Sequence, residues 1–432
     1  MNPVSGLAAC IGKCKEDLLG KILSQMAHRA TFGFHLYSSS EEGKCSASVG
    51  VCLRFQGEVP SVPIHGEIFE PEDFDLKRLH HALLDRCFAK AAKVLQLVDG
   101  AYSMIIADER DMVLIRDHLG LKPLYYVQKP DLIAAASEKN ALQKLGNEVE
   151  EAPRNALLHL SYSEKRIYPI QEAKDGEVVD DDLDEAAMRI YSVLKDSIAS
   201  RLKRAGNVAL GFSGGVDSTL LAKIASNIGR VDLLCFGFEG SRDVKWGAKA
   251  AELIGLDAQI YTIDAEDVKH ARDRLLAHRS LSTLDLAIAV GVELMARRVR
   301  ESGYQTLMLG QLADELFGGY MRYQSALKLR GLDAAQRLMI DDILSAHKGL
   351  ERDEYASAPY VDLCLPYASK PLVEYALKIH PRLKVDEERR KIVLRRVAEM
   401  LNLPKEIVDA PKKALQYSAG IFKAIEAAKK SL

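Results

Sequence analysis

VALGFSGGVDSTLLAKIA, residues 208–225, reads as a buried strand, a turn whose paired glycines stand between serines, and an amphipathic helix. Ser213, Gly214, Gly215 and Ser218 can aim backbone N–H and hydroxyl donors at one point, to which the helix N-terminus adds its positive dipole end. Such an arrangement suits pyrophosphate. The G-x-x-x-x-G-K-[ST] pattern is absent, so this is not a Walker A loop. Asp217 sits among the donors, where a carboxylate repels phosphate unless a divalent ion lies between them, and that placement points to magnesium.

Working outward, strand and helix alternate: VDLLCFGF, a helix across Lys245 to Ile254, AQIYTI, a helix from Glu266 to His278, a helix from Leu286 to Arg300, then TLMLG. Apolar strands alternating with helices predict a parallel sheet covered on both faces. From Ala313 onward the pattern predicts helices only. In TLMLGQLADELFGGY, residues 306–320, Asp314 follows a strand end, and ligands of open α/β sheets bind at the carboxyl ends of strands. Asp314 is therefore expected beside Asp217 as a second metal ligand.

Upstream, to about residue 170, period-two runs such as SASVGVCLRF, VPIHGEIF, AYSMIIADE and DMVLIRD predict a sheet-rich domain. Helical patterns interrupt it around Glu16 to Ala30 and Leu76 to Val98. The segment QEAKDGEVVDDDLDE, 171–185, is acidic and poor in apolar residues, which predicts a solvated linker running into a helix. The expected division is 1–170, a linker at 171–184, and 185–432.

With 432 residues, 48% hydrophobic and 28% charged, the chain has the composition of a multidomain globular protein. A net charge of −2 gives no field to steer it to nucleic acid or anionic lipid. Seven cysteines without a C-x-x-C fit neither a disulfide scaffold nor a zinc ribbon, and they favour a reducing cytoplasm. With no apolar stretch long enough to span a bilayer, a membrane is not expected as a partner.

SGGVDS together with ADELFGGY resembles the synthetase domain of the glutamine-dependent asparagine synthetases, in the ATP-pyrophosphatase group. RDHLGLKPLYY (116–126) and AASEKNAL (135–142) resemble that family's glutaminase domain. FGFEGSRDVKWG (236–247), KIVLRR (391–396) and PKKALQYSAG (411–420) resemble its adenine-side and C-terminal segments. The resemblance implies an Ntn-hydrolase-like N-terminal sheet domain and an adenine nucleotide α-hydrolase-like parallel-sheet domain with a helical C-terminus. It implies a carboxylate attacking the α-phosphate of ATP with magnesium present, pyrophosphate release, and ammonia displacing AMP from the acyl-adenylate. Leu210, Ser213, Gly214, Gly215, Val216, Asp217, Ser218, Phe236, Gly237 and Gly310 would hold ATP. Asp217 and Asp314 would hold magnesium, with Lys391 and Lys412 or Lys413 on phosphate charge. Thr283, Asp285 and Gln311 would face the acid, aspartate being favoured.

The sequence also departs from that family. If Gly6 matches the family's early glycine, Asn2 occupies the position of the nucleophilic cysteine, and an amide cannot attack as a thiolate does. Cys10 reads as a buried strand cysteine. The Asn-Gly of the oxyanion hole reads His65-Gly66, and Arg54 reads as an exposed arginine. Glutaminase activity is expected to be lost, with ammonia free or supplied by a separate amidotransferase. In the synthetase half, the expected acidic residue reads Gln311, and no arginine stands in STLDLAIAVG, 282–291, where Ala287 lies near its place. Asp285, if unpaired, would repel an anionic side chain unless it points away; the alternative is a helix-cap carboxylate for the helix beginning near Leu286. These changes favour either aspartate amidation or the same adenylate chemistry on another acid or amine. A noncatalytic nucleotide-binding scaffold and a homodimer are also compatible with the sequence.

Overall fold

The structure, a computed structural model, describes residues 3–12, 16–39, 47–54, 62–146, 148–170, 178–205, 207–410 and 420–430. The chain divides into two compact units, Met1–Lys174 and Asp175–Leu432. Asn2, Lys412, Lys413 and the first half of the 171–184 segment lie outside the described residues.

The first unit runs β1 (Val4–Gly12), α1 (Glu16–Gln25), β2 (Gly33–Ser39), β3 (Ala47–Leu53), β4 (Ile64–Glu70), α2 (Leu76–Leu84), α3 (Phe88–Leu95), β5 (Asp99–Ala107) and β6 (Asp111–Arg116). It continues with β7 (Tyr125–Lys129), β8 (Leu132–Ala136), α4 (Lys139–Gln143), β9 (Glu150–Glu151), β10 (Ala156–Ser161) and β11 (Lys165–Pro169). Two antiparallel sheets result, ordered β2-β3-β1-β8-β7-β9 and β11-β10-β6-β5-β4. Strand β1 shows why its sequence is apolar throughout. Leu7, Ala9 and Ile11 enter the core between the sheets with Ile105, Leu114 and Leu158, while Ala8 and Cys10 pack under α1 with Leu19 and Leu23. A strand buried on both faces loses the polar half of its alternation. The helix expected from Leu76 to Val98 is two helices, broken where Arg86 takes φ +58°. Neither Gly nor Pro announces that break.

In the second unit, α5 (Leu183–Ala205) leads into β12 (Val208–Gly211), α6 (Val216–Ser226), β13 (Val231–Phe238), α7 (Arg242–Leu253), β14 (Ala258–Ile263), α8 (Ala265–His278), α9 (Thr283–Glu301), β15 (Thr306–Met308) and α10 (Ala313–Phe317). Helices α11 (Met321–Arg330), α12 (Leu332–Ser345) and α13 (His347–Ser357) precede β16 (Asp362–Cys364). Then come α14 (Lys370–Lys378), α15 (Ile392–Met400), α16 (Lys405–Val408) and α17 (Ile421–Lys430). The five strands form a parallel sheet ordered β14-β13-β12-β15-β16. Strand β16 corrects the expectation of helices only after Ala313, since it extends the sheet beyond β15. The described end of the acidic linker alternates exposed and half-buried residues and is tied down at two points. Val179 bridges Ile379, and Tyr375 Oη donates to Asp181, which ties it to α14. Among the described residues no helix is long and apolar enough to cross a membrane.

Candidate active site

Phe212 N still donates to Leu234 O at 2.8 Å, after which the chain leaves the sheet and turns. Gly214 takes φ +70°, and a β-carbon there would lie 2.7 Å from Ala250 Cβ and 2.9 Å from the Trp246 ring. That corner admits glycine alone. Trp246 closes it from behind, its indole N–H donating to Gly214 O at 3.0 Å. Ser218 Oγ lies 3.2 Å from Ser213 Oγ and donates to Gly215 O at 3.2 Å, so the two hydroxyls also brace the loop. Gly215 is the N-cap of α6 and offers no side chain to its first amides, which leaves those donors to an anion.

The second loop leaves the sheet beside the first. Leu309 N donates to Cys364 O at 3.0 Å, Leu312 takes φ +75°, and Asp314 stands in the first turn of α10. A third segment arrives from the C-terminal helices. Lys391, itself at φ +57°, caps α15, and its Nζ bonds to Asp217 Oδ2 while lying 2.7 Å from Asp314 Oδ1. Burial lowers the Lys391 pKa, and the Asp217 carboxylate opposes that shift. Tyr367 Oη anchors the same turn by donating to Asp217 O at 3.2 Å.

The first two segments open on a cavity of about 280 Å³, and Lys391 stands behind its wall, against Asp217 and Asp314. Its wall combines apolar side chains, Phe212, Leu234, Phe236, Ile288, Met295 and Leu350 among them, with Ser213, Asp217, Ser218, Asp243, Gln311, Asp314, Glu315, Arg352 and Asp353. Burial raises the Glu315 carboxyl above the ordinary value, and Tyr320 Oη, donating at 2.7 Å, works against the rise.

Of the residues expected at ATP, Ser213, Asp217, Ser218, Phe236 and Gly310 line the cavity. Gly214, Gly215 and Val216 shape the loop behind it, and Leu210 is buried in β12. Gly237 is not on the cavity wall because neighbouring strand residues face opposite sides, and Leu234 and Phe236 take the cavity side. Of the residues expected to face the acid, Gln311 lines the cavity, whereas Thr283 and Asp285 do not. Helix α9 begins at Thr283, three residues before the expected Leu286, with Ser282 as its cap, and it turns Ile288, Val292 and Met295 to the cavity.

Asp285 is not the unpaired carboxylate that the sequence suggested. Its Oδ1 accepts from Arg352 Nη1 at 2.9 Å and its Oδ2 from Ser282 Oγ at 2.6 Å. Burial pushes its pKa up, but Ser282 and Arg352 outweigh burial and hold it low. Arg352 also grips Asp353 at 2.8 Å, and Asp353 Oδ2 accepts from Gln311 Nε2 at 2.6 Å. Burial raises the Asp353 carboxyl, with Arg352 opposing. Sequence reasoning missed Arg352 and Asp353, which α13 brings in; the run Glu351 to Glu354 looks like a solvated face, yet Glu351, Asp353 and Glu354 are buried.

In the first unit, Cys10 is buried, as read. His65 is buried on β4, and a β-carbon at Gly66 would lie 1.9 Å from Ala101 O, so the antiparallel pairing of β4 with β5 itself requires the glycine. Arg54 corrects the reading of an exposed arginine: it is only 3% exposed, its backbone N–H donating to Pro3 O at 3.0 Å.

Comparison with known proteins finds the family model described as asparagine synthase at residues 189–337 and 327–429, and that of a glutamine amidotransferase domain at 72–144. A putative glutamine-hydrolysing asparagine synthetase of Methanocaldococcus jannaschii is 28% identical over 380 residues, 76% of this chain and 70% of that protein. Asparagine synthetase B of Escherichia coli is 25% identical over 77% of this chain, which spans 63% of that relative's length. The solved NH3-dependent NAD synthetase of Campylobacter jejuni is similar at TM-score 0.27 and 16% identity, over 57% of this chain and 86% of that one, too distant to carry an argument.

Proposed function

This chain belongs to the asparagine synthase family, and we propose that it is an asparagine synthetase-like, ATP-dependent amide ligase that uses ammonia rather than glutamine. Its first unit is an antiparallel-sheet amidotransferase domain and its second a parallel-sheet, adenine nucleotide hydrolase-like domain. The observation that carries the reading is the meeting of Asp217, Asp314 and the 213–218 loop on one cavity wall.

The apolar wall at Phe236 takes the adenine, and the loop donors take the pyrophosphate. A carboxylate oxygen of the acid attacks the α-phosphorus, the α–β bridging bond breaks, and pyrophosphate departs with its electron pair. Preorganised N–H and hydroxyl donors stabilise the charge growing on that leaving group. Ammonia then attacks the acyl carbon, AMP leaves, and one proton is lost from nitrogen. Gln311 cannot accept that proton, but the orientation fixed by Asp353 leaves its carbonyl free to receive an N–H.

A magnesium ion fits the residues present. Two carboxylates from separate loops converge, and Asp217 Oδ1 is buried with no hydrogen-bond partner. Among the described residues no group of three or more His, Cys, Asp or Glu is placed to hold a metal, so the rest of an octahedral shell would come from phosphate and water. When bound, the ion neutralises phosphate charge.

Loss of glutamine hydrolysis rests on Asn2 and His65, and a cytosolic setting rests on the cysteines. Aspartate is the favoured acid because Arg352 lines the cavity, shared between Asp285 and Asp353, and is the group there that an anionic side chain would draw on. The test is pyrophosphate release from ATP with magnesium and ammonium across a panel of acids. Conversion of aspartate to asparagine is expected. Efficient turnover of another acid alone would move the substrate assignment, and no turnover with any acid would favour a scaffold.

A further inference from the structure

The Lys391 ammonium stands where two carboxylates of different loops meet, in contact with Asp217 Oδ2 and 2.7 Å from Asp314 Oδ1. Its side chain is only 4% exposed, and it reaches Asp217 across 174 residues of sequence. The surroundings are shaped around it. A β-carbon on Gly319 would lie 1.8 Å from Asp314 Oδ1 and 2.5 Å from Lys391 Cε, so no side chain at 319 is compatible with this arrangement. The Lys391 backbone holds φ +57°, unfavourable for a residue with a β-carbon and kept where surrounding contacts demand it.

A divalent ion that took these two carboxylates as ligands would compete with the ammonium for Asp217 Oδ2 and Asp314 Oδ1, and one held through Asp217 Oδ1 would still stand within a few ångströms of the lysine's charge. If the ion arrived alone, it would strip a buried lysine of its counter-charges, and a buried charge without a partner is strongly disfavoured. A nucleotide removes that obstacle, because its phosphates offer the lysine a new anion as the aspartates turn to the metal.

Resting on the ATP and metal reading above, we propose that Lys391 is an exchangeable counter-ion of the Asp217–Asp314 pair, which keeps free divalent cations off the site until a nucleotide arrives. Nucleotide and metal binding are thereby linked through one side chain, beyond the link that phosphate ligation supplies.

The test is Mn2+ titration followed by electron paramagnetic resonance, with and without α,β-methylene ATP, on the full chain. Without nucleotide, Lys391→Met and Lys391→Gln should bind Mn2+ roughly tenfold or more tighter than the wild type, as expected for removal of a competing charge at contact distance. Mn2+ alone should also raise the melting temperature of both variants and leave that of the wild type unchanged. Unchanged nucleotide-free affinity in variants that fold would overturn the proposal. If the variants fold only with metal, Mn2+ alone must restore them, and its failure to do so overturns the proposal too. Asp217→Asn separates the two readings: if it leaves Mn2+ binding with the analogue intact, the metal site itself is misplaced.

Discussion

Arg352 Nη1 donates to Asp285 Oδ1 at 2.9 Å, joining α13 to the first turn of α9 across 67 residues of sequence. The contact commits Asp285 to Arg352, so an effect of Asp285 on an acid substrate is expected to run through that guanidinium. Two carboxylates, Asp285 and Asp353, compete for one guanidinium on the cavity wall.

Asp285→Asn should therefore free part of Arg352 for an incoming anion and raise kcat/KM for aspartate relative to a neutral acid by about three- to tenfold. The Asp285 side chain is 47% exposed, so the lost ion pair should cost less than about 1 kcal/mol of stability. Arg352→Met should reverse the preference, and by leaving buried Asp353 unpaired it should cost roughly 3–5 kcal/mol. Unchanged substrate ratios in both variants would remove this wall from selection.

Asp217→Asn and Asp314→Asn should each slow pyrophosphate release by at least about a hundredfold while the far-ultraviolet spectrum and melting curve remain cooperative. The loss is expected in kcat more than in nucleotide affinity, because negative charge reaches the leaving group only in the transition state. Nucleotide titration beside turnover separates the two effects.

What could be read ahead of the structure was local. The strand, loop and helix at 208–225 announce themselves because Gly214 and Gly215 solve a backbone problem within a few residues. Strand β16 was missed because Asp362–Cys364 is too short to show alternation, and only its pairing with β15 makes it a strand. The partner of Asp285 was not legible for a related reason: the segment 282–291 contains no arginine, and nothing near it indicates that α13 supplies one. Lys391 was placed near phosphate by resemblance, but its bonds to both aspartates are a tertiary fact that no spacing encodes.

Purified protein should release no glutamate from glutamine, and Cys10→Ala should leave ammonia-dependent turnover unchanged. Cys10 lies at 1% exposure beneath α1, packed with Leu19 and Leu23, which is a place for an inert apolar side chain. Cys10→Ser should cost about 1–3 kcal/mol by burying a hydroxyl there. Glutamate release that disappears in Cys10→Ala would make this thiol a nucleophile after all.

The first unit should carry its own acid sensitivity through Glu138. This residue follows β8, and its carboxylate accepts from Arg29 Nε at 2.5 Å and lies 3.2 Å from His28 Nε2. Arg29, buried in turn, donates to Ser5 O on β1 at 2.8 Å, so one ion pair links the region after α1 to two neighbouring strands. Burial pushes the Glu138 carboxyl up, but Arg29 and His28 together outweigh burial and bring it from 4.5 to about 2. A depressed folded-state value means that the unfolded chain takes up this proton first as pH falls. The stabilisation is therefore complete above about pH 4.5 and is lost on the way down to about pH 2. That shift corresponds to roughly 3 kcal/mol. Glu138→Gln lacks the titration, so the stability gap between wild type and variant should be constant from pH 7 to about 5 and then narrow by about that amount toward pH 2. Urea denaturation of both proteins across this range, with hydrogen exchange read at β1 and β8 amides, checks it. A gap that stays constant through acid would show that the pair does not depend on Glu138 charge.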